Sequence, residues 1–131
     1  MKFLVDTHCW LWFLMTPERL CAAAIDALAD ASNDVYVSAA VGWEIVIKHG
    51  LGKLPLPLPA GQYVSERLAA VGHRPLAIAM EHAVALADLA PHHKDPFDRI
   101  LIAQAQVEKL TLVTADDKIR AYAVPILWGA R

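Results

Sequence analysis

The sequence predicts an α/β fold in which helices cover both faces of a central, mostly parallel sheet. Short apolar runs alternate along the chain with longer segments of helical pattern, as in βαβ units. The hydrophobic fraction is 56%, and much of it is Ala, Leu, Val and Ile, which suit buried parallel strands and the helices packed on them. A length of 131 residues is typical of one hydrophobic core. We therefore expect a single domain over residues 1–131.

Five short apolar runs are predicted to be strands, because each has four or five residues and most are bounded by turn residues. They are residues 2–5, 35–38, 74–78, 110–113 and 124–127. The first run stops at Asp6-Thr7, and a Ser-Asn-Asp turn precedes the second. A sheet of these five strands would be buried between the helical segments that separate them.

Helices are predicted between the strands, over residues 19–31, 39–49, 60–71, 80–89 and 95–109, with one further turn at 118–122. The first starts at Thr16-Pro17-Glu18 and the long one at Asp95-Pro96, so that each has Pro at its first position. Gly50 and Gly52 close the second helix. Alternate prolines in residues 53–59 exclude helix and central strand. We expect a stiff extended connection there, with a polyproline ligand for a partner domain as the alternative.

Composition excludes several classes. Cys9 and Cys21 have no metal-ligand spacing, so we expect reduced thiols and a cytoplasmic location. The apolar run at residues 9–15 is shorter than the ~20 residues that span a bilayer, and no cleavage site follows, so we expect neither signal peptide nor membrane segment. The net charge of −2 provides no global positive field for a nucleic acid. A bound divalent ion would supply positive charge locally, where phosphates dock.

Four acidic side chains stand at positions that parallel topology brings to one edge of the sheet: Asp6, Glu44, Asp98 and Asp116. Two of them closely follow predicted strands, and the other two lie near the starts of helices. Ligands of open parallel sheets bind outside the carboxyl ends of the strands, where the strand order reverses. Clustered carboxylates need a counter-charge, and Mg²⁺ or Mn²⁺ prefers such oxygen ligands. A metal held there would activate a water for attack on a phosphodiester.

Each acid also has a purely structural interpretation. Asp6 could accept backbone hydrogen bonds in a turn, and Glu44 could pair with Lys48 along one helix face. Asp98 fits a helix start capped by Asp95, and Thr114 fits the cap of the short helix that follows the fourth strand. Rival chemistries lack signals: the six histidines form no His-x-x-x-His pattern, and phosphate-binding glycine loops and a Gly-x-Ser-x-Gly elbow are missing.

Four segments together resemble the PIN domain, and in particular the VapC-like toxins of bacterial toxin–antitoxin pairs. They are Leu4–His8, Ser38 with Trp43–Ile45, Asp95–Arg99 continuing through Ile102–Ala105, and Leu112–Asp116. The segments follow one another in the expected order from residue 4 to about residue 117, which is nearly the whole chain. The resemblance implies a three-layer α/β/α PIN-like sandwich and a Mg²⁺- or Mn²⁺-dependent endoribonuclease.

The resemblance also assigns site residues. It carries the metal-binding and catalytic role to the four acids named above, and Thr7, Ser38 and Thr114 match polar positions that support such a site. Ala115 stands where many relatives have Asn, and Asp117 duplicates the acid next to it. Asp116 is preferred as the ligand because it keeps the Thr-x-Asp spacing. Arg99 and Lys94 are expected to meet phosphates, or alternatively to form salt bridges with nearby acids.

The resemblance further implies an RNA substrate, a small antitoxin protein and a homodimer. An inhibitor of an acidic pocket should present Arg or Lys to the carboxylates and an amphipathic helix to an apolar groove. Residues 10–15 are the candidate lining of that groove, with ordinary core packing as the alternative. Two other functions stay open: a metal-dependent hydrolase of another phosphoester, such as DNA or a small molecule, and a non-catalytic PIN-like interaction module.

Overall fold

Five parallel strands form the centre of the molecule, which we describe from a computed structural model covering residues 1–131. The strands are β1 (Lys2–Val5), β2 (Asp34–Ser38), β3 (Arg74–Leu76), β4 (Thr111–Thr114) and β5 (Ile126–Trp128). Their order across the sheet is β3-β2-β1-β4-β5, and every neighbouring pair is parallel. The chain moves outward from β1 to β3 and then returns to the other side of β1. The strand order therefore reverses at the carboxyl end of β1.

Six α-helices pack on the sheet and complete the predicted three-layer α/β/α sandwich. They are α1 (Thr7–Met15), α2 (Ala22–Ala29), α3 (Ala39–Gly50), α4 (Ala60–Val71), α5 (Met80–Ala85) and α6 (Pro96–Glu108). Short 3₁₀ turns occupy Pro17–Arg19, Leu86–Asp88 and Asp117–Ala121. The five strands and the later helices lie where the sequence predicts them to within a few residues. The proline-rich stretch at 53–59 forms neither helix nor strand, as predicted.

Helix α1 is the one element that the sequence pattern did not predict. Its side chains Cys9, Trp10 and Leu11 are buried in the core, while Trp12 is half-buried. A helix with apolar residues on most sides shows no 3.6-residue alternation, so the run carried no recognisable helical signal. The burial also corrects the predicted groove lining, because Trp10 and Leu11 pack inside the protein. Only the outer part of the run remains available to a partner.

The predicted helix over residues 19–31 is interrupted, because Leu20 is extended and pairs with the end of the chain. Leu20 forms an antiparallel bridge with Ala130, and the Cys21 amide donates to the Gly129 carbonyl oxygen at 2.8 Å. Helix α2 begins only after this bridge. At Gly129 an added Cβ would lie 2.7 Å from Cys9 Sγ, so the backbone of this segment packs directly against α1. These contacts join residues about a hundred positions apart, and no local pattern reports them.

The core contains 23 buried apolar residues and occupies the space between the sheet and its helices. Strand residues Leu4, Val5, Leu112 and Val113 are fully enclosed, which agrees with a parallel sheet covered on both faces. None of the helices combines the length and the apolar character that a bilayer span requires.

Candidate active site

Asp6 lies directly beyond β1, at the position where the strand order reverses. Its carboxylate caps α1, because Oδ1 accepts a hydrogen bond from the Cys9 amide at 2.8 Å. Oδ2 accepts the Thr114 hydroxyl at 2.5 Å, which ties the end of β1 to the end of β4. Burial raises the pKa of Asp6, although these hydrogen bonds favour its ionised form. The capping role and a place in the acidic site are therefore compatible in one side chain.

Glu44 lies on α3 and is buried, with a relative exposure of 7%. Its Oε1 accepts the Thr7 hydroxyl at 2.5 Å, and its Oε2 pairs with Lys48 Nζ at 2.7 Å. The i, i+4 pair that the sequence predicted as a structural alternative is thus present, but it is not on a fully exposed face. Because Thr7 follows Asp6, the Thr7 hydroxyl brings Glu44 to the edge of the sheet where Asp6 lies. Ser38 caps α3 and accepts from the Ala40 amide at 3.0 Å, which fixes the start of this helix.

Asp98 and Asp116 are connected by a histidine that the sequence did not identify. His93 Nε2 lies 3.0 Å from Asp98 Oδ2 and 2.7 Å from Asp116 Oδ2. The Asp95 amide donates to His93 Nδ1 at 3.2 Å, so the neutral imidazole carries its proton on Nε2 and donates it to the carboxylates. The ring is buried, with 7% exposure. His93 therefore holds together two acids from different elements.

The surroundings of the Asp98 carboxyl group disfavour its ionised form. Burial and the negative charge of Asp95 raise its pKa to about 7, and the charges of Asp6 and Asp116 act in the same direction. Only His93 lowers the pKa among the neighbouring charges. Such a shift is typical of carboxylates crowded into one site without sufficient counter-charge.

Asp116 and Asp117 have different surroundings. Burial raises the pKa of Asp116, but the His93 hydrogen bond and the Lys118 amide outweigh it and lower the pKa overall. The Asp117 side chain is 83% exposed and pairs with Arg120 at 3.2 Å. The Thr114 hydroxyl accepts from the Asp116 amide at 3.1 Å, so the same hydroxyl links Asp6 with the turn that carries Asp116. Asp116 is the member of the pair that is connected to Asp98 through His93.

Arg99 forms no salt bridge with a nearby acid, which was one of the two alternatives that the sequence suggested for it. Its guanidinium donates to the carbonyl oxygens of Leu89, Ala90 and His93 at 3.0 to 3.3 Å, and to the Tyr122 hydroxyl at 3.3 Å. These contacts fix the loop that carries His93. Lys94 in the same loop is exposed and forms no ion pair.

Asp95 caps α6, as the sequence predicted. Its Oδ1 accepts from the Phe97 amide at 2.8 Å and from the Asp98 amide at 3.4 Å. Its carboxylate is thus directed to the backbone, while Asp98, one turn into the helix, is directed to His93. The two acids of this motif therefore have separate environments.

An open cavity of about 370 Å³ lies against Asp6 and Asp116. It is lined by Asp6, Asp116 and Asp117 on the acidic side, with His8, Trp12 and Ala115. The cavity is large enough for a nucleotide-sized group, and its acidic side would repel an anionic ligand unless a cation were also bound.

The donor set fits a hard divalent cation such as Mg²⁺ or Mn²⁺. The ligand oxygens of Asp98 and Asp116 lie within 4.8 Å of each other, and Asp6 lines the same cavity as Asp116. His93 Nε2 carries the proton in the neutral tautomer, so carboxylate oxygens are the available donors. Oxygen donors and clustered negative charge suit these cations better than softer metals.

The fold and the site together define a class: a parallel α/β sandwich with clustered carboxylates at the point where strand order reverses. The chain belongs to the PIN domain family, whose model matches residues 3–125. Ribonuclease VapC22 of Mycobacterium tuberculosis (strain ATCC 25618 / H37Rv) is 32% identical over 126 residues, covering 93% of this chain and 92% of the relative. Ribonuclease VapC16 of the same strain is 40% identical over 68 residues, about half of each chain at 49% and 48%.

Solved structures share the fold. One chain of the crystal structure of VapBC2 from Rickettsia felis, bound to a DNA fragment from their promoter, superposes with a TM-score of 0.73. The match covers 98% of this chain and 99% of that chain at 14% identity. At such low identity the likeness concerns the fold alone. It agrees with the three-layer sandwich described above.

Proposed function

We propose that this protein is a Mg²⁺- or Mn²⁺-dependent endoribonuclease and the toxin of a toxin–antitoxin pair. The observation that carries the proposal is the grouping of carboxylates at the carboxyl edge of the sheet: Asp6 and Asp116 line an open cavity, and Asp98 lies beside Asp116 at His93. The raised pKa of Asp98 supports it, because it indicates negative charge that the protein itself does not fully compensate. The VapC relatives are named ribonucleases, which favours RNA as the substrate.

The acids Asp6, Glu44, Asp98 and Asp116 would hold the ion, with Asp116 preferred over the solvent-exposed Asp117. When bound, the ion would neutralise the cluster, attract the phosphodiester and increase the acidity of the attacking water. The remaining tasks belong to the chain's own residues. Thr114 fixes the Asp6 carboxylate, and Thr7 and Lys48 fix Glu44. His93 and the loop held by Arg99 set the separation of Asp98 and Asp116.

Two alternatives are weaker. Hydrolysis of DNA or of a small phosphoester would use the same acids, and the named relatives favour RNA over both. In a non-catalytic interaction module, the repulsion among these carboxylates would lower stability without serving a function. The raised pKa of Asp98 argues against that alternative, because an idle cluster of this kind lowers stability at neutral pH.

A small antitoxin would restrain the enzyme in its own cell. Its basic side chain would pair with the acids in place of the ion, and an amphipathic helix would cover apolar surface nearby. The outer residues of α1, Trp12 to Met15, are half-buried or exposed and extend from the rim of the cavity. The same surface would serve a homodimer. The proposal of both partners, the antitoxin and the second copy of the chain, rests on the likeness of this chain to VapC proteins.

Growth and pull-down experiments test the toxin role. Expression of the chain alone should slow growth, and co-expression of the small reading frame next to its gene should restore it. Harmless expression of a folded protein, together with recovery of no small partner, would exclude the toxin role. RNA cleavage by the purified protein would still decide the nuclease role separately.

A further inference from the structure

His73 is a buried side chain, away from the acidic site, that joins three elements of the fold. Trp10 Nε1 on α1 donates a hydrogen bond to His73 Nδ1 at 3.1 Å, and His73 Nε2 lies 2.9 Å from the Leu28 carbonyl oxygen in the last turn of α2. The Phe13 ring stacks on the imidazole, with the ring centres 5.6 Å apart. His73 itself belongs to the junction between α4 and β3 and is 7% exposed. One imidazole ring therefore connects α1, α2 and this junction.

The two hydrogen-bond partners of the ring determine its protonation state. An indole N–H can only donate, so His73 Nδ1 must be an unprotonated acceptor. A carbonyl oxygen can only accept, so His73 Nε2 must carry the single proton and donate it to Leu28. A second proton could bind only at Nδ1, where it would meet the N–H group of Trp10. The bond between α1 and His73 therefore exists only while the imidazole is neutral.

The charged groups around the ring are engaged elsewhere. Asp30, just beyond the end of α2, lines the same cavity of about 270 Å³ as His73, but its carboxylate accepts hydrogen bonds from Ser32. Arg74, the next residue in the chain, pairs with Asp34 of β2 at 3.3 Å. His73 itself forms no ion pair. A protonated imidazole would thus be a buried charge without a partner of opposite sign.

Burial is the main influence on the proton affinity of the ring. It lowers the pKa of His73 below 6.5, the ordinary value, and the hydrogen bond to the Leu28 carbonyl opposes this lowering only in part. From α1, the groups that contact the ring are the uncharged side chains of Trp10 and Phe13. The fold therefore favours the neutral ring on two independent grounds, the geometry of its hydrogen bonds and its burial.

We propose that His73 is an acid-sensitive lock on helix α1. A proton that Nδ1 takes from water breaks the bond to Trp10 and releases α1 from the junction between α4 and β3. Helix α1 begins at the Asp6 cap, and Thr7 in its first turn donates to Glu44, so the release of α1 alters the acidic site. This consequence for catalysis rests on the proposed function, whereas the lock itself does not.

Nuclear magnetic resonance of the full, metal-free chain tests the lock without RNA. As the pH falls from 8 to 5, the ring signals of His73 and the indole N–H signal of Trp10 should shift along one common titration curve, with its midpoint below pH 6.5. Trp10→Phe removes the opposing donor, so in this variant the His73 midpoint should move to higher pH. A Trp10 signal that stays unchanged while His73 titrates would overturn the lock. A His73 ring that stays neutral down to pH 5 would also overturn it.

Melting temperatures at different pH test the same lock through stability. Because the folded protein lowers the pKa of His73, the stability that the neutral ring provides is complete above pH 6.5 and is lost as the pH falls below it. His73→Gln has an amide that accepts and donates but takes up no proton. The gap in melting temperature between wild type and this variant should therefore narrow by about 3–5 °C between pH 7.5 and pH 5. Asp98 titrates in both proteins, so it does not contribute to the difference.

His49→Gln is the matched control. The His49 ring also bonds a carbonyl, that of Leu54 at 2.8 Å, but it meets no indole donor. A charged ring can keep this bond, so the gap between wild type and His49→Gln should stay constant with pH. A gap that is equally constant for His73→Gln would contradict the lock.

The lock and the nuclease activity can fail separately. A common titration of His73 and Trp10 in a protein that cuts no RNA supports the lock, and the proposed nuclease activity then fails alone. If the wild-type protein cuts RNA, His73→Gln should retain at pH 5.5 a larger fraction of its rate at pH 7.5 than wild type does. Equal loss of cleavage in acid by the two proteins would overturn the control of the acidic site by the lock.

Discussion

Replacement of Asp98 by asparagine should make the metal-free protein more stable at alkaline pH and remove its activity. Asp98→Asn keeps the size of the side chain and an acceptor for His93 but removes the charge. The pKa of Asp98 is raised from 3.8 to about 7, so the unfolded chain releases this proton at lower pH than the folded protein. Stability of the wild-type protein is then lost as pH rises through that interval, and the asparagine variant escapes the loss.

The magnitude follows from the pKa shift. A shift of about three pKa units corresponds to a ceiling of about 4 kcal/mol between the two protonation states. The Asp98 side chain retains 21% exposure and its contact with His93, both of which reduce the effect. We expect the free energy of unfolding of the variant, relative to wild type, to rise by about 1–2 kcal/mol between pH 5 and pH 8. Urea unfolding in the presence of EDTA would measure it.

Asp95→Asn is the matched comparison, three positions earlier in the same motif. Asparagine caps helices nearly as well as aspartate, so this variant should lose about 1 kcal/mol or less and keep RNA cleavage. A gap between Asp98→Asn and wild type that is constant from pH 5 to pH 8 would refute the electrostatic argument. Loss of cleavage in Asp95→Asn with retention in Asp98→Asn would reverse the two assignments.

Three further predictions concern the support of the site and the core. Arg99→Met should lower the free energy of unfolding by about 2 kcal/mol and reduce RNA cleavage, because the carbonyl groups of the His93 loop lose their charged donor. Urea unfolding would measure the loss of stability, and an unchanged midpoint would contradict the prediction. Gly129→Ala should lower the free energy of unfolding by about 1–3 kcal/mol, since the alanine methyl group would clash with Cys9 Sγ. A calorimetric melting temperature equal to that of the wild-type protein would contradict the contact. Iodoacetamide should modify Cys21 long before Cys9 in the native protein, because burial encloses the Cys9 thiol and raises its pKa. Mass spectrometry would measure the two labelling rates, and equal labelling would contradict the prediction.

Local sequence signals predicted the sheet and the acids at its edge. Asp6 comes directly after an apolar run, and Asp116 follows another by two residues, so their meeting depends only on the parallel order of two strands. The Asp95-Pro96 signal likewise predicted the start of α6 and the cap that turns Asp95 toward the backbone. Each of these features is encoded within a few neighbouring residues.

Features that depend on distant contacts were missed. His93 contributes through its distances to Asp98 and Asp116, which follow it by five and 23 residues, and it belongs to no His-x-x-x-His pair of the kind that marks a zinc site. The available signal was its place two residues before the Asp95 cap. The extended conformation of Leu20 depends on a bridge to Ala130 at the other end of the chain. Helix α1 was not predicted, because apolar residues on most of its sides remove the alternation of apolar and polar residues that marks a surface helix.

RNA cleavage by matched wild-type and Asp6→Asn proteins tests the central claim most directly. Both proteins would be incubated with total RNA and Mg²⁺ or Mn²⁺, with EDTA as the control, and the new RNA ends mapped by sequencing. The account predicts cation-dependent cuts at defined positions by the wild-type protein, and none above background by the variant. Without metal the variant should be at least as stable as the wild-type protein, because burial raises the pKa of Asp6. Equal cleavage by the two proteins, or cleavage that persists in EDTA, would contradict the assignment of the acids as the metal-dependent site.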